Sequence, residues 1–162
     1  MNERCAPWTY AYIRGSATTY TFSDGSTGTN AYQNGVTCVW GFEASGGPCV
    51  EIDVTFLRSE APHDKLEIYS GAGLLLATLS GRTVGPIPKI RGCVDARQPR
   101  ETSEAIARAL AGDDADLPSS PALYARWSTD GYDEAVIGAV EPVGFAATAV
   151  SVPVGGHDCA PG

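Results

Sequence analysis

From Cys49 to Leu57 the chain reads CVEIDVTFL, with Val50, Ile52, Val54 and Phe56 alternating strictly with Glu51, Asp53 and Thr55. Only an extended strand sends successive side chains to opposite sides, so these apolar residues share one face and the polar ones the other. A helix would scatter them around its circumference. The stretch is therefore expected to cover a core with one side of a sheet.

Related runs recur: CVWGFEA at 38–44, KLEIYSG at 65–71, LLLATLSG at 74–81, ALYARWSTD at 122–130 and GFAATAVSV at 144–152. They are punctuated by the turn-forming stretches SDGSTGTN, ASGGP and SEAPHD. Short β-rich runs between such turns predict an all-β sandwich rather than alternating strand and helix units. Residues 82–120 break the pattern, opening with the proline-rich GRTVGPIPKIRG and continuing into ETSEAIARALAG. There Thr102 or Ser103 can cap, Glu101 and Glu104 lie at the positive end, Ile106 and Leu110 are one turn apart, and Gly112 ends the run. This predicts one short helix over 102–111, inserted into the sandwich and packed on it through Ile106 and Leu110.

The length of 162 residues suits one compact domain, expected over 1–154 with a Gly/Pro-rich tail at 155–162. A formal charge of −8, with no basic run, argues against nucleic acid and favours cations or basic protein surfaces as partners. No stretch of the sequence has the roughly 20 apolar residues that a bilayer span needs. MNERCAPWTY lacks the apolar core of a secretion signal, so an exported form of the chain is expected to be a processed one.

The cysteines are Cys5, Cys38, Cys49, Cys93 and Cys159, none in a C-x-x-C arrangement. Their wide spacing favours long-range disulfides and an oxidising compartment over a zinc site. Five is odd, so at least one is free or bonded to another chain.

In order, these segments resemble a CUB domain, an extracellular β-sandwich module of jelly-roll type built from antiparallel strands. The resemblance begins at Cys5 and runs through TYTFSDGSTGTNAYQNGVTCVW, VEIDVTFLRSE and HDKLEIYSG, the last similar to the family's Tyr-Asp-x-Leu-x-Ile-Tyr-Asp-Gly. It closes with LYARWSTD and VGFAATAV. Residues 82–120 are much longer than the family's connection there, and PHD replaces its cysteine before Tyr-Asp, with His63 in place of the tyrosine.

The resemblance implies a Cys5–Cys38 disulfide and leaves the pairing of Cys49, Cys93 and Cys159 open. It also implies a Ca²⁺ site at one end of the sandwich, with Glu60, Asp64 and Asp130 in the liganding positions and Asp133 where the family has a further polar residue. A hard cation that takes six to eight oxygens suits such a set. In the family the same acids receive a Lys or Arg of a partner, so Glu60, Asp64 and Asp130 are also the implied partner-binding residues. The alternative is that these acids are solvated turn markers.

The expected function is thus a non-catalytic, secreted or cell-surface module for protein–protein interaction, adhesion or assembly. Self-assembly, including edge-to-edge pairing of strands, and membership of a larger chain stay open. A carbohydrate-binding sandwich is the alternative, with Trp8, Tyr10, Tyr12, Tyr20, Tyr32 and Tyr124 as stacking rings; Trp40 and Trp127 are expected in the core. Catalysis has only His63 and His157 to draw on, and a set of Ser128, His63 and Asp130 is weak support for it. GHDC with Cys93, and DDAD at 113–116, are weaker metal candidates still.

Overall fold

A computed structural model describes residues 5–14, 18–25, 35–45, 48–59, 63–82, 86–95, 97–112, 115, 120–129 and 144–152. Among these, the strands are β1 (Trp8–Ile13), β2 (Thr19–Ser23), β3 (Thr37–Ala44), β4 (Cys49–Arg58), β5 (Lys65–Ser70), β6 (Leu75–Ser80), β7 (Ile90–Cys93), β8 (Leu123–Ser128) and β9 (Gly144–Val152). One helix, α1 (Arg100–Ala111), falls between β7 and β8. The strands make two sheets, ordered β1-β3-β8-β5-β6 and β2-β9-β4-β7. All pairs are antiparallel except β1 with β3, which run parallel.

The core lies between the sheets. Val50, Ile52 and Val54 of β4 point into it, as their alternation predicts, and meet Trp40, Phe42, Leu66, Ile68, Trp127 and Phe145 from other strands. Phe22 is its aromatic hub, with ring centroids 4.9 Å from Phe42, 5.1 Å from Trp40 and 5.7 Å from Phe145. Burying each such ring contributes roughly 1.5–3 kcal/mol, so these contacts dominate what holds the sheets together. The alternation slips at one place. A bulge between Val54 and Phe56 shifts the register against β9, so that Leu57 is buried and Phe56 only half-buried. The extra residue of a bulge moves later side chains to the other face, which corrects the placing of Phe56 in the core row.

The helix starts two residues earlier than predicted, and neither Thr102 nor Ser103 caps it. Pro99 occupies the N-cap with extended backbone and no side-chain cap bond, and its carbonyl accepts from the Thr102 and Ser103 amides at 3.0 and 3.3 Å. Ser103 is instead buried within the helix and bonded to Gln98 Nε2 at 2.9 Å. The C-terminus is as read: Gly112 takes φ 100°, and its amide donates to the Arg108 carbonyl. Ala107 packs on the fully buried Tyr124, with Ile106, Leu110, Trp8 and Tyr69 around them. The helix therefore covers the outer face of the five-stranded sheet.

Residues 82–120 also hold β7, a strand that the proline-rich sequence around it conceals. It pairs with β4, placing Cys49 opposite Cys93, and the two form a disulfide. Cys93 is thereby excluded as a metal ligand beside GHDC. The Cys5–Cys38 bridge implied by the family resemblance is present, with Cα atoms 5.9 Å apart. Trp40 and Trp127 are in the core, as expected.

Candidate cation and partner site

At the end of the sandwich where β5 begins stand Asp64 and the described residues that precede Glu60 and Asp130. Asp64 immediately precedes β5 and is fully buried. The register pairs Lys65 with Ser128, so Asp64 and Thr129 stand at the same rim. Thr129 is fastened there by two bonds to Val36: its amide donates to the Val36 carbonyl at 2.9 Å, and its hydroxyl accepts from the Val36 amide at 3.0 Å. Ser59, at the end of β4, closes the rim from the other sheet. Its hydroxyl donates to the Asp64 carbonyl at 2.8 Å and accepts from the Gly81 amide at 3.0 Å. Ser80 Oγ donates to the same carbonyl at 2.6 Å.

Sequence reasoning missed these hydroxyls, whose only signal was a serine ending each of two strand runs. They decide how Asp64 can act. With its carbonyl accepting two hydroxyls, Asp64 would contribute to a cation site through its carboxylate. A carboxylate withdrawn from water needs strong compensation, from donors or from a cation. Carboxylate oxygen is the donor chemistry that Ca²⁺ takes.

Glu60, Asp130 and Asp133 lie outside the described residues, as do Tyr32, His157, Cys159, residues 131–143 and three residues of DDAD. Glu60 follows Ser59, and Asp130 follows Thr129, so the described residues next to both belong to the Asp64 rim. Among the described residues alone, no three Asp, Glu, His or Cys side chains cluster as a metal site. His63 is exposed in the turn before Asp64.

A second carboxylate, Glu67, is buried on the outer face of the same sheet. It accepts from Arg126 Nη2 at 2.9 Å and Nε at 3.2 Å, and from the Tyr69 hydroxyl at 3.0 Å. Burial first, and then the bond to Glu67, pushes the Tyr69 phenol above its ordinary range. With its oxygen tied to three donors, Glu67 reads as a fastening between β5 and β8.

The aromatic set divides. Tyr20 packs against Phe22 and Phe42, and Tyr124 lies under α1. Trp8, Tyr10 and Tyr12 share the outward face of β1, where Tyr12 is 47% exposed and the Arg14 guanidinium stands over its ring.

No family model and no curated protein matches the sequence. Solved structures do match the fold. The CUB1-EGF-CUB2 domain of human MASP-1/3 superposes with a TM-score of 0.54 at 12% identity, over 93% of this chain and 43% of that one. The MASP-1 CUB2 domain bound to Ca²⁺ gives 0.50 at 12% identity, over 86% of this chain and 97% of that one. The fold is CUB-like. The full extracellular region of zebrafish Gpr126/Adgrg6 also matches, with a TM-score of 0.51 at 15% identity over 87% of this chain and 14% of that one. The CUB-like chain thus spans less than half of the multidomain proteins it matches and nearly all of the isolated domain. Among its described residues no helix is long and apolar enough to cross a membrane.

Proposed function

We propose that the chain is an extracellular, non-catalytic protein-interaction module. In this reading, the Asp64 rim binds Ca²⁺ together with Glu60, Asp130 and Asp133, and presents Glu60, Asp64 and Asp130 to a Lys or Arg of a partner. The observation that carries the reading is the fully buried Asp64 at a rim where Ser59 and Thr129, the residues before Glu60 and Asp130, also stand. The Ca²⁺-bound state of the CUB2 domain of MASP-1 supports it, as do two disulfides, which persist in oxidising compartments.

Bound Ca²⁺ would offset the mutual repulsion of the acids and tie the loops after β4 and β8 to the start of β5. The described residues do the positioning: Ser59 and Ser80 hold the Asp64 backbone, and Thr129, which precedes Asp130, is fastened to Val36. A partner's ammonium or guanidinium would then meet acidic oxygens at a rim already ordered. Such a contact weakens with salt.

Thermal melting of the parent chain with Ca²⁺ and with a chelator tests the site. A Ca²⁺-dependent rise in Tm that is lost in both Asp64→Asn and Asp130→Ala is the expected result. A parent whose melting ignores Ca²⁺ would remove calcium from the proposal.

Tyr12, exposed beside the half-buried Trp8 and Tyr10 on the outward face of β1, favours carbohydrate binding as a second reading, because flat rings on alternate strand positions offer stacking surfaces. Retention on polysaccharide that Tyr12→Ala abolishes and a chelator leaves intact would select it.

A further inference from the structure

The two disulfides sit in unlike surroundings. In Cys5–Cys38, Cys38 is buried in the core between the sheets and Cys5 packs against that core. In Cys49–Cys93, Cys49 is half-buried and Cys93 is exposed. A thiolate opens a disulfide by direct attack on a sulfur, so access selects which bridge reacts, and exposed bridges are the labile ones. Cys93 offers that access, and the buried Cys38 does not.

The exposed bridge also holds a strand with little else to keep it in place. β7 has four residues, ends its sheet and is paired on one side alone, to β4. Beyond that short ladder there is an exposed ion pair from Arg91 to Glu51 at 3.1 Å, and the Val94 amide donates to the Pro48 carbonyl at 2.8 Å. An exposed ion pair contributes little, and so short a ladder at a sheet edge opens readily. β4 keeps β9 along its length when β7 leaves. What lies beneath β7 makes its release matter. Gly92 is packed against Leu123 and the Ala122 carbonyl of the facing sheet, and Ile90 lies on the core. A detached β7 therefore uncovers the fully buried Leu123 and one margin of the core.

We propose that the Cys49–Cys93 bridge is a redox-sensitive clasp: in the folded chain a dithiol reductant opens it ahead of Cys5–Cys38, β7 then detaches from β4, and reoxidation closes it again. One thiolate of the dithiol attacks Cys93 Sγ; the sulfur–sulfur bond breaks, and its electron pair leaves on Cys49 Sγ, which takes a proton from water. The second thiolate then attacks the dithiol's own sulfur in the mixed disulfide and releases Cys93 as a thiol. Two electrons and two protons pass to the bridge, and the dithiol is oxidised to its disulfide. The clasp is at the opposite end of β4 from Ser59, so it works without the Asp64 rim and without calcium.

Titration of the full native chain with dithiothreitol in chelator, followed by iodoacetamide and peptide mass spectrometry, reads the order of opening. Cys49 and Cys93 become alkylated together at dithiothreitol concentrations at least about tenfold below those that open Cys5–Cys38. In the protein with only the first bridge reduced, hydrogen exchange rises over residues 90–93 and stays low through β3 and β8. It returns to the parent's level once oxidised glutathione has closed the bridge. Cys159→Ser gives the same order of opening. Bridges that open together, or Cys5–Cys38 opening first, overturn the proposal. Unchanged exchange over residues 90–93 after reduction overturns it equally, because the bridge would then open without moving the strand. A rise in exchange throughout the chain also overturns it, since reduction would then unfold the domain and not release one strand. A melting temperature that ignores Ca²⁺ would leave this result untouched.

Discussion

Ser59 and Asp64, five residues apart at the two ends of the connection that links the sheets between β4 and β5, are joined by a 2.8 Å hydrogen bond from the Ser59 hydroxyl to the Asp64 carbonyl. The same hydroxyl accepts from the Gly81 amide, so one buried side chain ties the end of β4, the start of β5 and the end of β6. Removing it takes one partner from the buried Asp64 carbonyl and one from the half-buried Gly81 amide. Ser59→Ala is expected to cost about 1–3 kcal/mol in urea unfolding. Ser80 Oγ bonds the same carbonyl, so the Ser59→Ala/Ser80→Ala pair should be non-additive. A neutral Ser59→Ala would mean that the corner is not fastened this way.

Gly92 sits in the middle of β7, opposite Val50 of β4. A Cβ there would run into the Leu123 side chain and the Ala122 carbonyl of the facing sheet. Because one obstacle is backbone, the sheets would have to separate. Gly92→Ala should therefore destabilise by about 2–3 kcal/mol, at the upper end of ordinary overpacking. A denaturation midpoint matching the parent would show that β7 does not pack this closely.

The alternation of Val50, Ile52 and Val54 reports burial on one face, so the sandwich and most of its strands were legible from residue type alone. What was not legible depends on single residues or on long-range partners. A bulge at Val54/Phe56 adds one residue and leaves no compositional trace. A four-residue strand with Gly92 inside it resembles the loop that leads to it. The helix start went to Pro99 because a proline's fixed φ suits a helix entrance, whereas Thr102 and Ser103 had only suitable chemistry. The pairing of Cys49 with Cys93 is a fact of register, which spacing cannot supply. At the site, sequence and family resemblance marked Asp64, but not the hydroxyls that hold it.

The Cys49–Cys93 bridge connects residues 44 apart and staples the terminal strand β7 to β4. In the chain-entropy account, closing a loop of that size restrains the unfolded chain by about 4 kcal/mol. Replacing both cysteines by alanine should lower stability by up to that amount. It should also raise amide hydrogen exchange over residues 90–93 more than elsewhere in the sheet. Unchanged protection there would mean that the strand is held by its ladder and not by the sulfur bridge.

Alkaline pH should reveal how firmly the inserted helix seals the sheet. Tyr124 is fully buried beneath α1, its hydroxyl donating to the Ser103 carbonyl at 3.3 Å, and burial pushes its phenol well above the ordinary value of 10.0. Tyr20 and Tyr69 shift in the same direction, with burial the leading cause. In the unfolded chain these phenols lose their protons near pH 10, while the folded chain keeps them; above that pH the native state binds more protons, and stability falls as pH rises. The contribution is intact below pH 10. Tyr124→Phe should cost about 1 kcal/mol at neutral pH for the lost hydrogen bond. It should also flatten the alkaline decline in unfolding free energy, leaving the smaller slope due to Tyr20 and Tyr69. An alkaline slope identical to the parent's would place the Tyr124 hydroxyl in contact with water, and α1 would then not be the cover over this face of the sheet.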